Sequence, residues 1–256
     1  WDPKIMLGEV DVQADGSAFF TVPARTPVYF QAVDERGCVV QTMRSWSTLM
    51  PGENAACVGC HESKNSAPLP YNGSTAALKA GAHPLAPWHG PARGFSFPKE
   101  IQPILDKHCV RCHDDRTKKL VAKGNPRPSA AVASAEKPGR PGVKDVAAKK
   151  AFSLLSTQVL DPRAKRNWSD AYLALTNSRA ENDGQYRGYS NDLVNWISVQ
   201  SAPPMLPPYS AGACKSRLMV MLENGHNGVK LSRPELERIA CWIDLLVPCF
   251  GDYTEG

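Results

Sequence analysis

Two five-residue stretches, Cys57-Val58-Gly59-Cys60-His61 and Cys109-Val110-Arg111-Cys112-His113, hold the residue types best suited to chemistry in this 256-residue chain. Each reads C-x-x-C-H, the attachment signature of a c-type haem. Two thiols three positions apart can reach both vinyl groups of one porphyrin and form thioethers. The histidine that follows then points at the iron from the proximal side. A zinc half-site or a redox dithiol also uses C-x-x-C, but neither calls for a histidine directly after both pairs. The repeated signature therefore predicts two covalently bound haem c groups and their irons. Cys57, Cys60, Cys109 and Cys112 are the anchors, and His61 and His113 the proximal ligands.

A six-coordinate haem takes a second axial ligand, whereas a reactive one keeps that position open or weakly held. Of six histidines, His83, His89, His108 and His226 remain for it. His226 sits in Glu223-Asn224-Gly225-His226-Asn227-Gly228, a turn between two predicted helices, and is the distal candidate for the second iron. His89 is the candidate for the first iron, with His83 behind it. His108 adjoins Cys109 and cannot easily reach its own haem, so it is a lesser candidate for the first. Met43 and Met50 are thioether ligands in principle, although methionine more often fills gaps in a core. With no distal ligand, the first haem would be open to small molecules.

The elements that must position these groups read as α+β: a small antiparallel β region, then a mainly α-helical dihaem cytochrome c region with long loops. Ile5 to Val12, Ser17 to Val22, Pro27 to Val33 and Cys38 to Met43 are short runs rich in Val, Phe and Tyr, separated by turn residues. Residues 62–96, rich in Pro, Gly and Ala, read as an irregular loop suited to wrapping a haem. Phe97 to Cys112 reads as one helix, capped by Ser96 and carrying Ile101, Ile104 and Leu105 at helical spacing. Residues 114–150 are a Lys-, Pro- and Ala-rich surface excursion. Further helices are expected from Ser169 through Leu175, from Asn191 through Val199, from Ala213 to Asn224, and from Ser232 to Pro248, with Pro-rich residues 202–208 as a wall over a haem. Three regions follow: 1–50, 51–96 and 97–256.

The net charge of +5 is modest, and the propionates of two haems would cancel most of it, so nothing points to nucleic acid. No apolar run is long enough for a membrane span. Because c-type haems are attached outside the cytoplasm, the chain is expected in the periplasm or at the cell surface. It starts at Trp1 without a leader, so a removed signal peptide and further N-terminal sequence are expected. Cys38, Cys214, Cys241 and Cys249 are left either for disulfides or as buried thiols.

Several segments resemble the α subunit of hydrazine synthase and its wider relatives. They include Gly8-Glu9-Val10, Gln41-Thr42-Met43-Arg44-Ser45-Trp46, Pro51-Gly52-Glu53 before the first motif, Gln102-Pro103-Ile104-Leu105 before the second, Gly225-His226, and Cys241-Trp242-Ile243-Asp244. The resemblance implies a dihaem C-terminal part after a β-rich region, with one electron-transfer haem ligated by two histidines, here His113 and His226. In the synthase the other haem is catalytic and carries a tyrosine ligand four residues after the motif histidine. Here that position is Asn65, which points to a relative that is not itself a synthase. The expected function is a dihaem c-type cytochrome passing electrons between redox protein partners. The alternatives are a haem enzyme acting on a small nitrogen or oxygen species at an open first haem, or one subunit of a larger multihaem complex or filament.

Overall fold

The computed structural model describes residues 3–58, 73–114, 152–180, 186–197 and 206–255. Cys60, His61, Asn65, the expected excursion at 115–150 and most of the Pro-rich stretch lie outside the described residues. No helix among the described residues is long and apolar enough to cross a membrane.

The N-terminal residues form small antiparallel ladders rather than one sheet. Strand β1 (Ile5–Met6) pairs with β4 (Arg93–Gly94), and β2 (Gln31–Val33) forms a hairpin with β3 (Val39–Thr42). The hairpin turn is fixed locally: Asp34 Oδ1 accepts the backbone N–H groups of Arg36 and Cys38, both at 2.9 Å. The rest of the first expected strand and the whole of the second supply only single bridges, Glu9 with Ala86 and Phe20 with His83, and both reach into the stretch predicted to be an irregular loop. Glu9 exchanges backbone bonds with Ala86 at 3.0 and 2.8 Å, and His83 is held between Phe19 and Thr21. That stretch also carries a short helix, α1 (Ala76–Ala80), whose Thr75 hydroxyl accepts the Leu78 N–H. Its backbone partners lie some 60 residues upstream, a pairing that local sequence cannot announce.

The predicted helix at Phe97–Cys112 is two helices, α2 (Phe97–Glu100) and α3 (Gln102–His108), joined at Ile101. Pro103 is the physical reason: it has no N–H to give residue 99, and its ring crowds that carbonyl. Ser169 caps α4 (Asp170–Leu175), as its sequence predicts. Asn191 caps only a turn, with its Oδ1 accepting from Leu193 and Val194 at 2.9 and 3.1 Å. The helix expected after it is absent through residue 197. Ala213–Lys215 is a 3₁₀ turn, and α5 (Arg217–Glu223) follows it. The final helix, α6 (Arg233–Asp244), has the predicted capping box, in which the Ser232 N–H donates to Glu235 Oε2 at 2.8 Å. The helical region also holds two hairpins, β5 (Gln158–Asp161) with β6 (Arg166–Ser169), and β7 (Arg179–Ala180) with β8 (Tyr186–Arg187). The expectation of a mainly helical second half is corrected to short helices interleaved with two-stranded ladders.

One core ties these pieces together. Trp242 of α6 is fully buried against Phe97 of α2, centroids 5.1 Å apart, and Phe97 meets Tyr172 of α4 at 5.3 Å. The Tyr172 hydroxyl donates to the Val247 carbonyl at 2.8 Å, pinning a β-branched residue with φ 50° three positions beyond α6. Cys38, Cys214, Cys241 and Cys249 are free thiols, with Cys38 and Cys249 inside this core.

At the far end of α6, Asp244 is 8% exposed and joins three segments. Its carboxylate accepts Val39 N–H of β3 at 2.9 Å and Ala213 N–H of the 3₁₀ turn at 2.8 Å. Gly212 lies so close that a Cβ there would fall 2.2 Å from Asp244 Oδ1. Burial pushes this carboxyl up to about 7, outweighing the two donors that hold it down.

Two outcomes follow for the folded protein. The native state keeps an Asp244 proton that the unfolded chain releases near pH ~4, so stability should fall as pH rises from there to about 7. The expected slope is at most ~1.4 kcal/mol per pH unit, read by urea denaturation at several pH values. Asp244→Asn should flatten that window while costing about 1 kcal/mol at low pH, because its single oxygen serves one of the two donors. Equal slopes in both proteins would contradict a proton held at Asp244. Tyr172→Phe should cost ~1–3 kcal/mol by stranding the Val247 carbonyl, lowering the urea midpoint without altering the slope of the transition.

Candidate haem site

The second motif begins where α3 ends, but the backbone keeps turning. Cys109 N–H bonds to Leu105 O at 2.8 Å, and His113 N–H to Cys109 O at 3.0 Å. This winding brings half-buried Cys109, exposed Cys112 and His113 to one edge of a cavity of about 220 Å³. Its walls are apolar: Ile104 and Leu105 of α3, Leu175 of α4, Leu222 of α5, and Ile239 and Trp242 of α6. Phe152 stands edge-on to the His113 imidazole, centroids 5.5 Å apart.

His226 faces His113 across that cavity. After α5 the chain reverses tightly, His226 N–H bonding to Val229 O at 3.1 Å and Val229 N–H to His226 O at 2.9 Å. The two residues between them, Asn227 (φ 49°) and Gly228 (φ 79°), both have the positive φ of a type I′ turn, which Asn-Gly favours. The imidazole is therefore presented from a stiff two-residue hairpin.

The two rings are 6.2 Å apart at their centroids and only 19° from parallel. Imidazole–metal bonds run about 2.0–2.1 Å, with each centroid roughly 1.1 Å behind its nitrogen, so two imidazoles on opposite sides of one ion stand ~6.3 Å apart. The spacing fits one iron between them. Burial first, and then the neighbouring His226, lowers the pKa of His113, which favours the neutral ring that can donate a lone pair.

The other two uses of C-x-x-C fit less well. A redox dithiol needs a depressed thiol pKa, and burial instead pushes Cys109 up. A structural zinc site needs four convergent ligands, and among the described residues no three of His, Cys, Asp and Glu form such a group. An apolar slot with two facing imidazoles and two thiols on one edge suits a haem.

His108 lines the same cavity but is engaged, its Nε2 lying 3.0 Å from Glu235 Oε1, the carboxylate that caps α6 and also meets Lys107 at 2.9 Å. Those contacts hold the Glu235 carboxyl down at about 2 against the opposing effect of burial. His89, with φ 47°, packs edge-on to Trp88 and has Nε2 3.0 Å from Glu237 Oε2, within ion-pair range but not aligned as a hydrogen bond. His83 is exposed. Cys57 is exposed too, and its partners Cys60 and His61 lie outside the described residues. The structure thus brings together Cys109, Cys112, His113 and His226.

Sequence reasoning passed over Met221, which lines this cavity from α5, because helical spacing reads a methionine as core. The usable signal was its place five residues before a candidate ligand, next to the fully buried Met219 that does fill the core.

Residues 1–62 match the family described as hydrazine synthase alpha subunit middle domain. Hydrazine synthase subunit alpha of Kuenenia stuttgartiensis is 25% identical over 159 residues, an alignment that covers 43% of this chain and 20% of that protein. The chain therefore spans about a fifth of that relative's length. No solved structure matches it. Both findings make the chain similar to the hydrazine synthase alpha subunit, the first of them over the N-terminal ladders.

Proposed function

We propose that this chain is a dihaem c-type cytochrome that passes electrons between redox protein partners outside the cytoplasm, in the periplasm or at the cell surface. The observation that carries the reading is the approach of His113 and His226 to 6.2 Å across an apolar cavity edged by Cys109 and Cys112. Bound there, a haem supplies one-electron chemistry at its iron. The chain does the rest. Cys109 and Cys112 would hold the group covalently, and His113 and His226 would be its iron ligands, leaving no site for small molecules. The leucine and isoleucine walls exclude water, which limits reorganisation when the charge changes. Cys57, Cys60 and His61 hold the first haem, with His89 or His83 as its distal ligand.

The second reading is a haem enzyme acting on a small nitrogen or oxygen species at the first iron and fed electrons by the second. The named relative favours it, since that protein is a hydrazine synthase subunit. The word subunit also supports assembly with other chains in a complex or filament.

Expressed in a host that attaches c-type haem, the protein should carry two haems per chain by alkaline pyridine absorbance. Both ferric haems should be low-spin by paramagnetic resonance, and carbon monoxide should leave the ferrous spectrum unchanged. A Cys109→Ala, Cys112→Ala double variant should carry one haem. A high-spin or carbon monoxide-binding fraction near one-half would overturn the carrier reading in favour of the enzyme, and a chain without covalent haem would overturn both.

A further inference from the structure

Two groups able to bind iron reach the distal side of the second cavity from one connected segment. Met221 lies on the cavity-facing side of α5, and His226 is presented by the turn that follows α5. Met221 is half-buried, whereas Met219, two residues earlier on the same helix, is 2% exposed in the core. The packing role falls to Met219, and Met221 turns its thioether to the slot. His226 also has a rival partner, because Asn227 Nδ2 lies 3.1 Å from its Nε2 in the same conformation that sets the two rings 6.2 Å apart. That amide competes for the nitrogen without any displacement of the ring.

We propose that Met221 is the reserve distal ligand of the second haem, taking the sixth position when Asn227 rather than the metal holds the His226 Nε2. This rests on the reading of Cys109, Cys112, His113 and His226 as a haem site. Histidine–methionine ligation raises a haem's reduction potential relative to two imidazoles. The exchange therefore makes this haem a stronger electron acceptor without dismantling its pocket. α5 need not move as a body, since both ligands flank its C-terminal end.

The test uses the haem-loaded chain with His226→Ala and, in case that cavity impairs folding, the volume-conserving His226→Gln. In either variant the second haem should stay low-spin. It should gain the weak red charge-transfer band of ferric thioether ligation and show a higher midpoint potential in a redox titration. Adding Met221→Leu should abolish the band and convert that haem to a high-spin form that binds carbon monoxide. Met221→Leu alone should leave the resting spectrum unchanged. If both His226 variants are high-spin whether or not Met221 is present, the proposal is overturned while the haem site stands. If His226→Ala and His226→Gln keep the unaltered bis-imidazole spectrum, His226 is not the distal ligand and the underlying reading fails with the proposal.

Discussion

The separation of His113 and His226, 6.2 Å across a slot with apolar walls, is the constraint the helical half is built to satisfy. An imidazole can be held that far from another only if both backbones are fixed, because side-chain rotation alone would let the rings collapse or drift. His113 is fixed by the helical turns that continue α3, and His226 by a type I′ hairpin that needs positive φ at Asn227 and Gly228. Between these two supports, α4, α5 and α6 supply the leucine, isoleucine and tryptophan side chains that keep water from the space.

α6 is the strut that sets the relative position of everything else. One face gives Ile239 and Trp242 to the cavity, and its N-terminal capping residue Glu235 reaches His108 and Lys107 of α3. Its outer face pairs Glu237 with His89 and Arg238 with Glu100, the latter also bound by Arg93 at 2.6 Å. Its last residue, Asp244, holds β3 and the 3₁₀ turn through two backbone donors. A single helix thus fastens the N-terminal ladders to the haem side. The surface pairs contribute little each, so the buried contacts of Trp242 and Asp244 carry the join.

What could be read in the sequence was what is local. The C-x-x-C-H signatures, the Ser169 and Ser232 caps and the Asp34 turn all rest on residues within a few positions of one another. What could not be read was pairing at a distance. Glu9 with Ala86 and His83 with Phe19 and Thr21 turn a supposed loop into part of the N-terminal ladders. Hairpin β5–β6 was missed because Arg166-Asn167-Trp168-Ser169 has no apolar alternation; its register comes from Asp161, whose Oδ1 accepts Arg163 and Ala164 N–H at 3.0 Å. Pro103 divides what the spacing of Ile101, Ile104 and Leu105 predicts as one helix. Asn191 shows the converse: its side chain accepts Leu193 and Val194 N–H as an N-cap does, yet no helix follows through residue 197.

On the proposed reading the second site would serve a carrier and an enzyme equally well, because either needs a haem that takes and gives electrons without binding substrate. The first iron decides between them, and the two candidate ligands for it differ in what they would give up. His89 sits against Trp88 and beside Glu237 of α6, so swinging it to an iron would break a contact that links the N-terminal ladders to that strut. His83 is anchored by its backbone to Phe19 and Thr21, while among the described residues its exposed imidazole has no hydrogen bond or ion pair. Recruiting His83 as the ligand that closes the first haem would therefore cost the fold no such contact, whereas recruiting His89 would cost it one. A carrier needs that closure to be permanent. An enzyme needs it absent or readily displaced, and a histidine on a short exposed bridge satisfies that requirement more easily than one wedged beneath a helix.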